Sequence, residues 1–420
     1  MRKERLIVPV LALLVIAWLA AQLVSSVLFE RSLSQALADL QARGEWRVKR
    51  LDNDAGWLNS QGTVLLSPLL GRPWQLRLDY RARHGIVTSD ITGRLRPLLD
   101  GALQKAVGEV SAPSAPRLTG RYYTYSGRSE MRLTLAPLTV TQRDRTLRVR
   151  GARLKLRGVY GDWRLTAGLD ELALVDGEAR LALGPASLES RYTYTDGAYH
   201  FYQHDRLRIE KLSLAHPDLA LRAAPLELHT DMTLDERELR IDGELTFDNV
   251  WLPDKAPQTP AFNGHLAATL SRLDADAVRG VFARLREDAL HSETLRGDAA
   301  AADAGGVVER LSPLLRQVLR ESPRLDISDI ALTSPLLNIR VDADGALFFD
   351  ARRLEALDPA RLDEPAMQAR FRRRLDGDIT WHGAPAVAAL WLGLGLEERE
   401  LTFDLVRGRW RVNGRPLPEG

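Results

Sequence analysis

At 420 residues with 45% hydrophobic side chains, the chain has enough apolar material for one large core or two to three smaller ones, and too much for a disordered polymer. Cysteine is absent, which excludes disulfides, thiolate metal sites and cysteine nucleophiles and suits an oxidising compartment. The net charge of +2 equals the balance of Arg2, Lys3 and Arg5 against Glu4, so the remainder is neutral and carries no nucleic-acid footprint.

From Leu6 to Phe29 no charged residue occurs, and only Pro9, Gln22, Ser25 and Ser26 interrupt the Leu, Val, Ile and Ala run. About 20 such residues in a helix cross a bilayer core of about 30 Å. Basic residues stay cytoplasmic, so Arg2, Lys3 and Arg5 predict an uncleaved single-pass anchor in a bacterial inner membrane, with the rest of the chain periplasmic. Leu19-Ala20-Ala21 resembles a signal-peptidase site, but the apolar run continues past it.

Residues 30–43 keep helical spacing and stop at Gly44. The period then becomes two: Trp74, Leu76, Leu78 and Tyr80 alternate with polar residues, as in a half-buried strand. Pro97 is expected to open a short amphipathic helix over Leu98–Val107, and Ser111–Pro116 reads as a linker. From Arg117 to about Leu252 nearly every segment alternates. Asp176-Gly177 and Asp196-Gly197 are expected to form two-residue hairpin loops. They would pair Leu174 with Ala179, Leu172 with Leu181, Tyr194 with Tyr199 and Tyr192 with Phe201.

Five segments, starting at Ala136, Asp170, Glu210, Asp248 and Ser328, resemble one another at a spacing near 38 residues, the last interval being two units, as in a sheet built from repeated strand groups. Residues 266–321 change to helical spacing (Val278, Phe282, Leu285; Val308, Leu311, Leu315, Val318), with Asp274 as N-cap and a low-complexity loop from Asp298 to Gly306. The last part mixes strands (Leu325–Val341, Ala346–Phe349), helices near Ala366–Leu375 and Ala386–Leu392, and a closing hairpin at Asn413-Gly414. The expected organisation is mainly β (α+β): an anchor (1–29), an N-terminal region (30–116), an antiparallel β repeat region (117–265), a helical insert (266–321) and a C-terminal α+β region (322–420).

No motif carries a reaction. His200 and His204 are two surface imidazoles where zinc wants three or four ligands. Gly393–Glu398 follows a helix and lacks the third glycine of a dinucleotide loop. Ser60 has no histidine partner predicted from the sequence. Catalytic, cofactor and metal residues are therefore assigned as none. Arg148, Arg150, Arg153, Lys155 and Arg157 share a face if Gly151-Ala152 is a bulge that shifts phase; Glu171, Glu178 and Glu189 are available to balance them as a solvated face. On the other side, alternation assigns Leu147, Val149, Leu154, Leu156, Leu172, Leu174, Leu181, Leu212, Leu214 and Leu219 to one continuous apolar face. Left in water, ten such residues would sacrifice more than the typical net stability of a domain, so protein or lipid must cover them.

The anchor followed by GWLNSQG (Gly56–Gly62), the segment Ser322–Ile339 and the closing Leu401–Pro418 resemble the YdgA-like family of bacterial envelope proteins, with a looser likeness to AsmA-type repeats. Gly56, Trp57, Ser60, Asn413, Gly414 and Pro416 match the family pattern. The glycines fit turns and Trp57 is expected to point inward from a strand. The resemblance implies an anchored, periplasmic, β-rich protein without catalytic residues to carry over; the AsmA likeness implies lipid transport. The leading expectation is a non-enzymatic envelope scaffold or partner-binding protein. The alternative is a carrier of lipid or another apolar ligand along the sheet, and the lesser one an enzyme with an unrecognised site. Its partners are the inner membrane, through residues 6–29, and phospholipid or another envelope protein; nucleic acid is not among them, and a homo-oligomer is compatible with everything above.

Overall fold

The computed structural model describes residues 4–42, 46–68, 74–99, 109–111, 114–142, 145–195, 199–217, 219–252, 258–291 and 304–417, with side chains of the first helix placed from Trp18 onward. The N-terminal apolar run and the following helical stretch form one continuous helix, α1 (Glu4–Ala42). Among the described residues no helix is long and apolar enough to cross a membrane; Leu6–Ala17 of the expected span lie outside the described side chains.

Strands follow in chain order: β1 (Trp46–Ala55), β2 (Asn59–Pro68), β3 (Trp74–His84), β4 (Thr88–Leu99), β5 (Glu109–Ser111), β6 (Arg117–Tyr123), β7 (Arg128–Thr134), β8 (Leu138–Gln142), β9 (Arg145–Arg150), β10 (Arg153–Val159), β11 (Asp162–Leu169), β12 (Glu171–Asp176) and β13 (Ala179–Leu183). Then come β14 (Ala186–Tyr194), β15 (Phe201–Ile209), β16 (Leu212–His216), β17 (Leu219–Ala223), β18 (Leu226–Leu234), β19 (Glu238–Trp251) and β20 (Phe262–Asp274). Helices α2 (Ala275–His291) and α3 (Ala304–Val318) precede β21 (Arg324–Ser334) and β22 (Ile339–Phe349). The chain closes with α4 (Pro365–Arg372), β23 (Leu375–His382), α5 (Ala386–Trp391), β24 (Leu401–Val406), β25 (Arg409–Val412) and β26 (Arg415–Pro416).

All described strands belong to one antiparallel sheet, but the pairing resolves it into two ladders. The first runs β1-β2-β3-β4-β6-β7-β10-β11-β14-β15-β18-β19-β20-β21-β22-β23-β24-β25-β26. The second runs β5-β8-β9-β12-β13-β16-β17 and joins the end of β19. From β6 to β17 the chain alternates two strands in one ladder with two in the other, crossing a seam each time. Backbone bonds stitch this seam, among them Asp170 N–H to Arg150 C=O (3.1 Å), Glu210 N–H to Pro185 C=O (2.9 Å) and Ala224 N–H to Asn249 C=O (3.0 Å). Four of the five repeated sequence segments begin within two residues of a crossing into the second ladder, and the fifth lies at a register shift in β21. The repeat is the signature of the seam.

Several expectations are corrected. Pro97–Leu99 are strand, pairing with Leu76, Gln75 and Trp74; proline sits at the far end of β4 because it donates no ladder bond. The helical insert begins at Ala275, since residues 266–274 continue β20, and the stretch from Leu325 to Val341 is a hairpin, not one strand. The ladder also runs without a break past residue 116, through the β4–β6 pair.

Both inferred hairpin registers slide by two residues. Leu174 pairs with Leu181 and Leu172 with Leu183, because the loop is Gly177-Glu178, with Gly177 at φ 60° in the first position, as in a type II′ turn. Tyr194 pairs with Phe201; Asp196-Gly197 itself lies outside the described residues. A slide of two leaves every side chain on its face, because strand alternation has period two. Tyr192 still stacks beside Phe201, with ring centroids 5.6 Å apart.

Helix α2 starts as expected at Asp274, whose Oδ1 accepts the Ala277 N–H at 2.7 Å. The last hairpin turns on Asn413 (φ 46°) and Gly414 (φ 79°), with Val412 opposite Arg415, the paired positive φ of a type I′ loop.

Candidate functional site

The sheet face decides what this protein can do. At the seam crossings from β7 onward the apolar alternation shifts phase: Leu133 to Leu138, Val149 to Leu154, Leu169 to Leu172, Leu183 to Ala186, Ile209 to Leu212, Ala223 to Leu226 and Phe247 to Val250 are separated by three or five residues. An odd separation reverses faces in a regular strand, so each crossing inserts one extra residue, as a β-bulge does. Polar side chains pair beside the seam: Arg150 binds Glu171 across the β9–β12 pair of the second ladder, and at the crossing Arg153 Nη2 donates to Asp170 at 2.6 Å. The apolar side chains occupy the other face throughout.

On that face the registers line up files of directly opposed residues. One file takes a residue from each of thirteen successive strands of the first ladder. It begins Leu118–Leu133–Leu154–Ala167–Leu188–Leu207–Leu228. It continues Leu245–Leu266–Ile330–Ala343–Trp381–Leu401. Every member is apolar, and twelve strand spacings of about 4.8 Å make it about 58 Å long. In the second ladder, Leu147–Leu174–Leu181–Leu214 form one file and Val149–Leu172–Leu183–Leu212 another. The structure thus places nine of the ten sequence-assigned apolar residues in these files or, for Leu156, in the adjoining one beside Met131 and Leu165. Leu219 stands at the outer end of its strand opposite His216 and is 45% exposed.

The sheet curls around this face. Helix α2 touches β1 as well as β19 and β20, although eleven strand spacings, about 53 Å, separate β1 from β19 along the ladder. A helix of 17 residues is about 25 Å long and cannot bridge that distance over a flat sheet. The apolar face is therefore concave.

Helices cover only parts of it. Helix α1 lays Phe29, Leu33 and Leu37 over Val64, Tyr80, Ile91 and Tyr122. Helix α2 packs Ala275 and Val278 on Leu234 near the strand tips, and α5 seals the C-terminal end against Leu401 and Val412. Between Tyr125 and Arg222, by contrast, no described residue is buried. Antiparallel sheets normally close one face with a second layer; here the Leu and Val side chains of the central strands line a trough. The next file toward the strand tips turns polar at Ser190–Asp205–Thr230, where Gln203 Nε2 donates to Asp205 at 2.6 Å. The apolar strip is bounded on that side by hydrogen-bonding groups.

Where α1 reaches the sheet, Phe29, Leu33, Ala36, Ile91, Tyr122, Met131, Trp163 and Tyr194 line an apolar pocket at the head of the trough. Beside it lies a buried polar network that the sequence did not reveal. His84 binds Ser60 through Nε2 at 2.7 Å and Ser89 through Nδ1 at 2.8 Å, so Ser60 does have a histidine partner, 24 residues on. The signal was the opposed ends of β3 and β4, which pair His84 with Ser89, together with the β2–β3 register. Ser60 and Ser89 have no exposed surface, so no substrate reaches either hydroxyl while α1 is seated. Burial holds the His84 pKa below its ordinary value, against the pull of the Glu30 carboxylate. The residues that interrupt the apolar run of α1 complete this network: Gln22 donates to the His84 carbonyl, Ser25 binds Thr124 at 2.7 Å and Ser26 donates to the Gly56 carbonyl at 2.9 Å.

The residues on which the sequence resemblance rested take structural positions. Gly56 leaves no room for a Cβ, which would lie 2.5 Å from the Asn59 carbonyl oxygen. Trp57 does not point inward; it sits at the β1–β2 turn and is 44% exposed. Pro416 lies in the edge strand β26. On the polar face His204 binds Asp231 at 2.7 Å.

Over residues 1–382 the sequence matches the family described as "Bacterial protein of unknown function (DUF945)". The chain belongs to this family. No curated protein and no solved structure matches it, so the family fixes kinship and leaves the chemistry to the site itself. What the DUF945 match does not extend over is the end of the chain, residues 383–420, where α5 and the closing hairpin seal the trough.

Proposed function

We propose that this protein is a membrane-anchored carrier that holds lipid acyl chains along the concave apolar face of its sheet, on the periplasmic side of a bacterial inner membrane. The observation that carries the reading is the stretch from Tyr125 to Arg222, where a strip of Leu, Val and Ala side chains lies on a curled sheet and none of the described residues is buried. Apolar surface of this extent is costly in water, at about 25 cal/mol per Å². Acyl chains supply the missing layer at about 0.8 kcal/mol per methylene buried. The head of the trough adjoins α1, whose apolar run leads to the membrane, and the polar file at Ser190, Asp205 and Thr230 offers hydrogen bonds to a headgroup while tails lie on the strip. The open strip shifts the balance from the scaffold role toward the carrier role.

The test places a photoreactive benzophenone residue at Leu207 on the strip and, separately, at Arg206 on the opposite face. Illumination in cells followed by mass spectrometry should give lipid adducts at position 207 and not at 206. Equal labelling at both, or adducts only with protein at 207, overturns the reading.

A further inference from the structure

The tips of the first strands lie where α1 leaves the domain. Helix α1 docks on the sheet from Gln22 onward, which leaves at most Leu6–Ala21 of its apolar run, 16 residues, for a membrane span. At 1.5 Å per residue these cover about 24 Å, short of the roughly 30 Å hydrocarbon layer. A short span is tolerated when flanking apolar groups enter the interface.

Such groups surround the helix where it leaves the domain. Trp57 and Leu58 at the β1–β2 turn are 44% and 38% exposed, Val87 at the β3–β4 turn 54%, and Tyr125 at the β6–β7 turn 75%. These turns are tied to α1 at one level: Gly56 through Ser26, Thr124 through Ser25, and the β3–β4 turn through Gln22. Trp18, Leu58, Arg83 and Val87 line one cleft there. Nothing in the folding of the domain requires large apolar side chains at three exposed turns, whereas Trp and Tyr favour the membrane–water interface and an arginine reaches its phosphates.

We infer that the three turns form a collar around α1 that seats in the outer leaflet of the inner membrane, completing the short span and setting the head of the trough at the bilayer surface. The collar rests on the reading of α1 as an anchor but not on the trough carrying lipid.

The chain has no cysteine, so single labels are clean. Full-length Trp57→Cys, Val87→Cys and Tyr125→Cys, each carrying an environment-sensitive fluorophore, are reconstituted in phosphatidylethanolamine–phosphatidylglycerol vesicles. Glu178→Cys, at the β12–β13 turn, is the control. Labels at the three turns should emit to the blue and be quenched by brominated lipid, while the label at 178 should do neither. Turn labels as wet as the control in protein that floats with the vesicles would overturn the collar and leave the anchor standing. Protein that does not float at all would overturn anchor and collar together, and lipid adducts at Leu207 would still report on the trough.

Discussion

Leu174 and Leu401 test whether the central sheet is open or closed. Leu174 sits half-buried between Leu147 and Leu181, whereas Leu401 has no exposed surface and packs in the C-terminal core. Complete burial of a leucine is worth roughly 1.5–3 kcal/mol, so half-burial puts about 1 kcal/mol at stake in Leu174→Asp, and the new carboxylate keeps its water. Leu401→Asp buries an unpartnered charge, costing more than about 4 kcal/mol of a net stability that is typically about 5–15 kcal/mol. Thermal melts in mild detergent should therefore show Leu174→Asp within about 4 °C of wild type and Leu401→Asp unfolded or melting far lower. Mass spectrometry of the same preparations should find phospholipid on wild type and little on Leu174→Asp. If Leu174→Asp unfolds as Leu401→Asp does, the strip is a closed core; if wild type carries no lipid, the carrier reading fails.

Three further outcomes follow from named contacts. Ser60→Ala leaves the His84 Nε2 buried without its partner at 2.7 Å and should cost about 1–3 kcal/mol in chemical denaturation; an unchanged midpoint would show that the network does not hold α1. The His84 pKa is lowered from 6.5 by burial, so the unfolded chain binds that proton more tightly. Its stabilisation is complete above about pH 6.5 and declines as pH falls through the folded pKa; His84→Gln should flatten this acid branch, while His265, raised by Asp329, contributes the opposite slope. Gly177→Val places a β-branched residue at φ 60° and should destabilise by about 1–2 kcal/mol, read as a lower melting temperature; no change would show that the Gly177-Glu178 loop tolerates another turn type.

Residue order determined a good deal of this architecture. Period-two alternation from Arg117 to Leu252 assigned faces that do not depend on the pairing being right, because a slide of two residues leaves the pleat unchanged. Asp274 and Asn413-Gly414 were legible because caps and tight turns depend on a few adjacent residues. The repeated segments were visible too, but their meaning was not. They mark bulges where strands pass between ladders, and that partition depends on partners up to some 30 residues away. Separation along the chain likewise hid Ser60 from His84, while Trp57 was misplaced because β1 ends at Ala55 and leaves it in the turn before β2. The trough belongs wholly to the tertiary structure. Alternation shows that a face is apolar, but only curvature and the reach of α1, α2 and α5 decide which part of it the chain covers and which part it leaves open.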